Sequence, residues 1–149
     1  MNINFTNREY EALLDMIYLA DWMLHAHDTE KSDDIYQAIE QKILGYAKDF
    51  GCGDKIVFDP KLQQYFPTRE YEESEEIQGV IDDYNNETFW DELIDRLATR
   101  DLVRQHGAEK FDSMTPTERI HAFFEAEAPY ADEFETNGLD RVEIRKAQQ

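Results

Sequence analysis

Along the chain, apolar positions recur mostly every three or four residues, which predicts helices joined by short polar connections. The first helix is announced by its cap: Thr6 and Glu9 have capping-box spacing, and Phe5 with Tyr10 has the spacing of a hydrophobic staple. From Asn7 to about His27, a helix gathers Glu11, Asp15, Asp21, His25 and Asp28 on one side. Leu13, Leu14, Ile17, Leu19, Ala20, Met23 and Leu24 occupy most of the rest. Such a wide apolar face suits a central helix or the seam of a homodimer. A second helix is expected to start at Ser32-Asp33-Asp34, where carboxylates meet the positive helix end. It carries Ile35, Ile39, Ile43, Tyr46 and Phe50, and Gly51 follows where a left-handed cap would need it.

Residues 51–68 lose this periodicity and read as an irregular connection, in which Ile56-Val57-Phe58 has strand character and Asp59-Pro60 resembles a helix start. Thr68 caps a third helix running to about Asn85, with Tyr71, Ile77, Val80, Ile81 and Tyr84 facing inward. A fourth, Glu87 to His106, carries an apolar stripe from Phe89 to Val103 and stops at Gly107. Thr115-Pro116-Thr117-Glu118 opens a fifth with a capping box and proline at the first helical position, and Pro129 ends it. Residues 129–149 are expected to form a C-terminal tail, packed on the bundle or partly mobile, with a short helix ending at Asn137-Gly138 and strand-like alternation at Val142-Glu143-Ile144. The expected fold is mainly α, a single domain over 1–149 built as a bundle of about five helices. A two-stranded β addition would pair Lys55–Phe58 with Arg141–Arg145, the one obvious partner for that segment.

Length and composition fit this picture: 149 residues with 41% apolar content supply one ordinary core. Charge adds more. The 34 Asp and Glu oppose 15 Lys and Arg, giving a net charge of −19, which repels phosphate backbones and anionic lipid. No nucleic-acid or membrane-surface role is therefore expected. The longest apolar run, Met16 to Ala20, is far shorter than the ~20 residues that cross a bilayer. A single cysteine, Cys52, and the lack of a basic start followed by an apolar stretch point to a cytoplasmic location. Aromatic residues at 13% argue for a packed interior beneath an acidic skin rather than a disordered tail.

Among the acids, Glu73-x-x-Glu76 is followed fifteen residues later by Glu92-x-x-Asp95, on two helices that a short turn would fold against each other. Four converging carboxylates are a site for Mg or Mn and, through it, for a nucleotide phosphate. The pattern resembles the signature of the all-α nucleoside triphosphate pyrophosphohydrolases of the MazG and dimeric dUTPase group. That resemblance implies metal ligation by Glu73, Glu76, Glu92 and Asp95 and release of pyrophosphate. It covers only these residues, and no basic cluster beyond Arg96 and Arg100 stands nearby to hold a triphosphate. The competing reading is a solvated acidic face.

Two secondary metal sets are present. Asp21, His25 and Asp28 stand one helical turn apart, and the His27-Asp28 doublet is similar to the core of HD-domain phosphohydrolases. That family places another histidine well upstream, whereas His25 is the first in this chain. Glu118-x-x-His121 has the spacing found in ferritin-like di-iron bundles, which need two such motifs; this chain has one. The plainer readings are an Asp21–His25 pair and a histidine at the core edge. Asp28-x-Glu30-x-Ser32 begins like a calcium loop but has Asp33 at the glycine position. No cofactor is assured.

The leading expectation is a protein-interaction or regulatory module without catalysis of its own. Residues 61–100 hold eleven acids and four bases and interleave Tyr71, Tyr84, Phe89 and Trp90, a mixture suited to a basic protein partner. A divalent-metal hydrolase of a nucleotide or phosphate ester is the alternative.

Overall fold

A computed structural model describes residues 3–27 and 35–144. The fold is mainly α with a small antiparallel sheet: six helices and two strands among the described residues. They run α1 (Asn7–His25), α2 (Ile35–Leu44), β1 (Ile56–Asp59), β2 (Gln64–Pro67), α3 (Arg69–Glu72), α4 (Glu75–His106), α5 (Ala108–Ser113) and α6 (Pro116–Asn137). The chain divides into two compact units, residues 1–83 and 84–149. No helix among the described residues is long and apolar enough to cross a membrane.

In the first unit the Thr6/Glu9 capping box starts α1 as expected. Tyr10 and Leu14 then enter a core with Leu44, Ala47, Cys52 and Ile56. Tyr10 stacks on Phe50 at 4.2 Å and donates its hydroxyl to the Ile43 carbonyl. A second cluster holds Tyr71, Ile77 and Ile81 against Tyr18, Leu19 and Trp22. Gly51 adopts φ +78°, the left-handed conformation its position predicts. The expected helix start at Ser32–Asp34 lies outside the described residues. Of the periodic apolar positions of that segment, Ile35, Ile39 and Tyr46 are exposed.

The strand expected at Ile56 forms, but its partner is local. Ile56 pairs with Pro67 and Asp59 with Gln64, so residues 51–68 contain a hairpin rather than an irregular connection. Asp59-Pro60 builds its turn instead of a helix: the Asp59 carboxylate accepts from the Lys61 amide at 2.7 Å and the Leu62 amide at 3.2 Å. Closing so short a loop costs far less chain entropy than recruiting the C-terminal tail. Residues 141–144 are not strand, and Arg145 lies outside the described residues. The free edge of β2 is met by a side chain, because Gln41 accepts from the Tyr65 amide at 2.7 Å and donates to the Tyr65 carbonyl at 2.9 Å. One amide thus supplies the donor and acceptor of a missing neighbour strand.

Two further boundaries differ. The helix expected from Thr68 breaks after Glu72, and the turn expected between Asn85 and Glu87 is absent, so α4 continues for 32 residues. No glycine or proline interrupts residues 80–106, and the exposed Asn86 accepts from the Trp90 indole one turn on at 3.2 Å. Gly79 sits inside α4 at an exposed position, where it costs ~1 kcal/mol relative to alanine and is tolerated.

In the second unit α6 passes through Pro129 to Asn137, where a tail was expected to begin. Pro129 lies on an exposed side, where water can take the carbonyl it leaves without a donor. Beyond it, Phe134 is buried and meets Trp90 at 5.5 Å, which holds the last turns helical. Tyr130 donates to Asp101, and Arg100 bonds both of them. Arg119 lies over the Phe111 ring and donates to the Phe111 and Asp112 carbonyls, fixing α5 to the start of α6.

Candidate functional site

The N-terminal unit carries a cleft of about 500 Å³, lined by α1, the residues before β1, α3 and the start of α4. Its size falls in the ~300–1,000 Å³ range of ligand sites, and its lining mixes apolar surface with many charged side chains. Five carboxylates, Glu11, Asp15, Asp54, Glu70 and Glu76, face two cations, Arg8 and Lys55.

Lys55 organises the interior of the cleft. Its amino group pairs with Glu11 at 2.7 Å and lies 5.1 Å from the centre of the Tyr71 ring. Tyr71 is buried and donates its hydroxyl to Asp15 at 2.7 Å. Glu11 and Asp15 stand one turn apart on α1, a like-charged spacing that repels unless a cation or donor lies between them. Here Lys55 and Tyr71 take those two places. Thr68 fastens the same loop, donating its amide to the Lys55 carbonyl at 2.8 Å and its hydroxyl to the Asp54 carbonyl at 3.2 Å.

Lys55 and Tyr71 in the cleft, and the buried Cys52 of the same unit, have their pKa values raised further above neutrality. Burial disfavours the Lys55 charge, but the hydrogen bond and attraction of Glu11, with Asp15 behind it, outweigh that and hold its pKa above the ordinary lysine value. Burial pushes the Tyr71 phenol up, and its bond to Asp15 adds to the shift. Burial also raises the Cys52 thiol, with Glu11 reinforcing and Lys55 opposing the effect. The thiol is therefore not primed as a thiolate. In the core of the same unit, burial lifts Tyr10 to about 12.

The sequence-predicted carboxylates are distributed differently. Glu76 lines the cleft, whereas Glu73 does not and pairs with Arg69 at 2.8 Å. Glu92 pairs with Arg96 at 2.8 Å, and Asp95 is exposed on the same helix. Glu76 belongs to the first unit and Glu92 and Asp95 to the second, and α4 runs through residues 85–87 without the expected turn. The fold-back that was to bring the four together is not formed. Asp21 and His25 pair at 2.9 Å, and Asp28 lies outside the described residues. Glu118 serves the α6 cap, accepting from the Thr115 amide and hydroxyl, while His121 is exposed rather than at a core edge. Asp21–His25 and Glu118–His121 belong to different units. Among the described residues no three His, Cys, Asp or Glu side chains gather as a metal site.

Of the expected aromatic anchors, Tyr71 is buried and Trp90 packs on Phe134, while Tyr84 and Phe89 are about half exposed. The helical projection of α1 places Glu11 and Asp15 on one side, and nothing in the sequence pattern singles out Lys55. The available signal was the acid pair one turn apart, which calls for a cation between.

No family model, no curated protein and no solved structure matches this chain.

Proposed function

We propose that this chain is an interaction or regulatory module that receives a basic segment of a protein partner in the acidic cleft of its N-terminal unit, without catalysis of its own. The observation that carries the reading is the imbalance of the lining. With Lys55 matched to Glu11 and Asp15 to Tyr71, Asp54, Glu70 and Glu76 are left facing Arg8. That surplus attracts a cationic side chain and repels an anionic one. The raised Lys55, Cys52 and Tyr71 support binding over reaction, because general acids, bases and nucleophiles work best when tuned toward the operating pH. The net charge of −19 adds long-range steering toward a basic partner.

Fluorescence anisotropy tests this with a labelled Lys/Arg-rich peptide and a Glu/Asp-rich peptide of equal length. The basic peptide is expected to bind, its affinity to fall with salt, and Glu70→Gln with Glu76→Gln to weaken it about threefold per charge removed. Equal binding of the two peptides, or a basic-peptide affinity unmoved by both substitutions, refutes the reading.

A further inference from the structure

We infer that the outward face of α1 is a seam between two copies of this chain, with the two α1 helices packed antiparallel. The helix turns Tyr10 and Leu14 into the core and Asp15 toward Tyr71. The apolar side is thereby left facing solvent. Met16 is 67% exposed, Met23 57% and Leu24 48%; Ala20 is exposed beside them, and so is Ala12 at the rim of the cleft. From Ala12 to Leu24 this face bears no charge, in a chain with 34 acidic residues.

The face is complementary to itself in size and in charge. In an antiparallel pair centred on residue 18, Ala12 lies opposite Leu24 of the second copy, and Met16 opposite Ala20. Each small residue meets a large one, so the two rows interlock and the helices approach closely. Continuing the same register outward sets Glu9 opposite His27, an acid facing an imidazole at both ends of the seam. A parallel pair would set Glu9 on Glu9, Met16 on Met16, and like ends of the helix dipoles side by side. Charge therefore selects the antiparallel arrangement, and it selects a second copy of this chain over a basic partner, for which the stripe offers no carboxylate.

Sedimentation equilibrium of the full chain over a micromolar range reads the outcome. Wild type is expected at twice its 17.6 kDa mass. Met16→Glu and, independently, Ala20→Glu are expected to weaken the dimer about 30-fold or more while the circular dichroism melt stays intact, because both positions are exposed. His27→Glu is expected to weaken it about fivefold through repulsion from Glu9, and His27→Lys to preserve it. A monomeric wild type overturns the proposal, as does a dimer that survives both Met16→Glu and Ala20→Glu. A His27→Glu dimer as tight as wild type overturns the antiparallel register.

Discussion

Replacing Lys55 with methionine separates the structural role of the cleft from its binding role, because the two effects have opposite signs. The substitution keeps the aliphatic stem but removes the charge that pairs with Glu11 and lies over the Tyr71 ring. The ion pair is partly exposed, with side-chain accessibilities of 26% and 49%, so its share is about 0.2–1 kcal/mol rather than that of a buried pair. The cation–π contact adds ~0.5–1 kcal/mol, and the unscreened repulsion between Glu11 and Asp15 about 0.2–0.5 kcal/mol. A loss of about 1–2 kcal/mol is therefore expected in urea unfolding, and a double-mutant cycle with Glu11→Gln should recover ~0.5–1 kcal/mol of it as coupling. Binding should move the other way. Removing one positive charge about 6 Å from a cationic ligand is worth ~0.7 kcal/mol even at the dielectric of water, so a Lys/Arg-rich peptide should bind about threefold tighter. An affinity that falls with the charge would show Lys55 contacting an anionic ligand and refute the assignment of the cleft.

Three other outcomes are expected. Asp101 is held at about 2 by its bonds from Arg100 and then Tyr130, and Thr6 and Thr115 hold the cap carboxylates Glu9 and Glu118 below their ordinary value. All three shifts are depressions, so the stability they contribute is complete above the unfolded carboxylate range and is lost as pH falls through ~4 toward 2. Tyr130→Phe should make acid unfolding, followed by circular dichroism, less steep, and an unchanged profile counts against that network. Millimolar Mg or Mn should leave the melting temperature unchanged; a metal-dependent rise of several degrees with phosphate released from a nucleotide would favour the hydrolase reading over the interaction reading. Asn86→Pro should cost about 3 kcal/mol, because α4 is unbroken there, whereas a turn at that point would accept proline at little cost.

Helix starts were the most legible feature of this sequence, and for a physical reason. The Thr6/Glu9 and Thr115/Glu118 boxes are local, each satisfying backbone donors within four residues, and both formed as read. Interruptions were harder. Asn85-Asn86 carries turn-forming residue types, yet Asn86 found a helical partner in Trp90; Pro129 carries a break signal, yet the burial of Phe134 kept α6 going. In each case packing or a side-chain bond one turn away outweighed the local preference. Strand character at Ile56 was readable, but its partner depended on Asp59 folding the chain back and on Gln41 finishing the far edge, neither of which has a periodic signature. The site was least legible. Lys55, Asp15 and Tyr71 are separated by up to 56 positions, and only the fold brings them together.

The same helix links the two proposed surfaces. At 100° per residue, Glu11 and Asp15 project toward the cleft while Met16 and Ala20 project from the other side of α1. A dimer closed through the apolar side touches each cleft only at its Ala12 wall, and two acidic sites share one particle. Two basic segments joined by a linker that spans the clefts would bind such a dimer as an intramolecular second step, with an avidity gain on the order of 100-fold over a single segment. On a Met16→Glu monomer, where each cleft is intact but alone, that gain should vanish while the affinity for a single segment is unchanged. A tandem peptide that keeps its full advantage on the monomer would show that cleft and seam are not coupled through α1. Equal loss for single and tandem peptides would place Met16 in the binding surface itself.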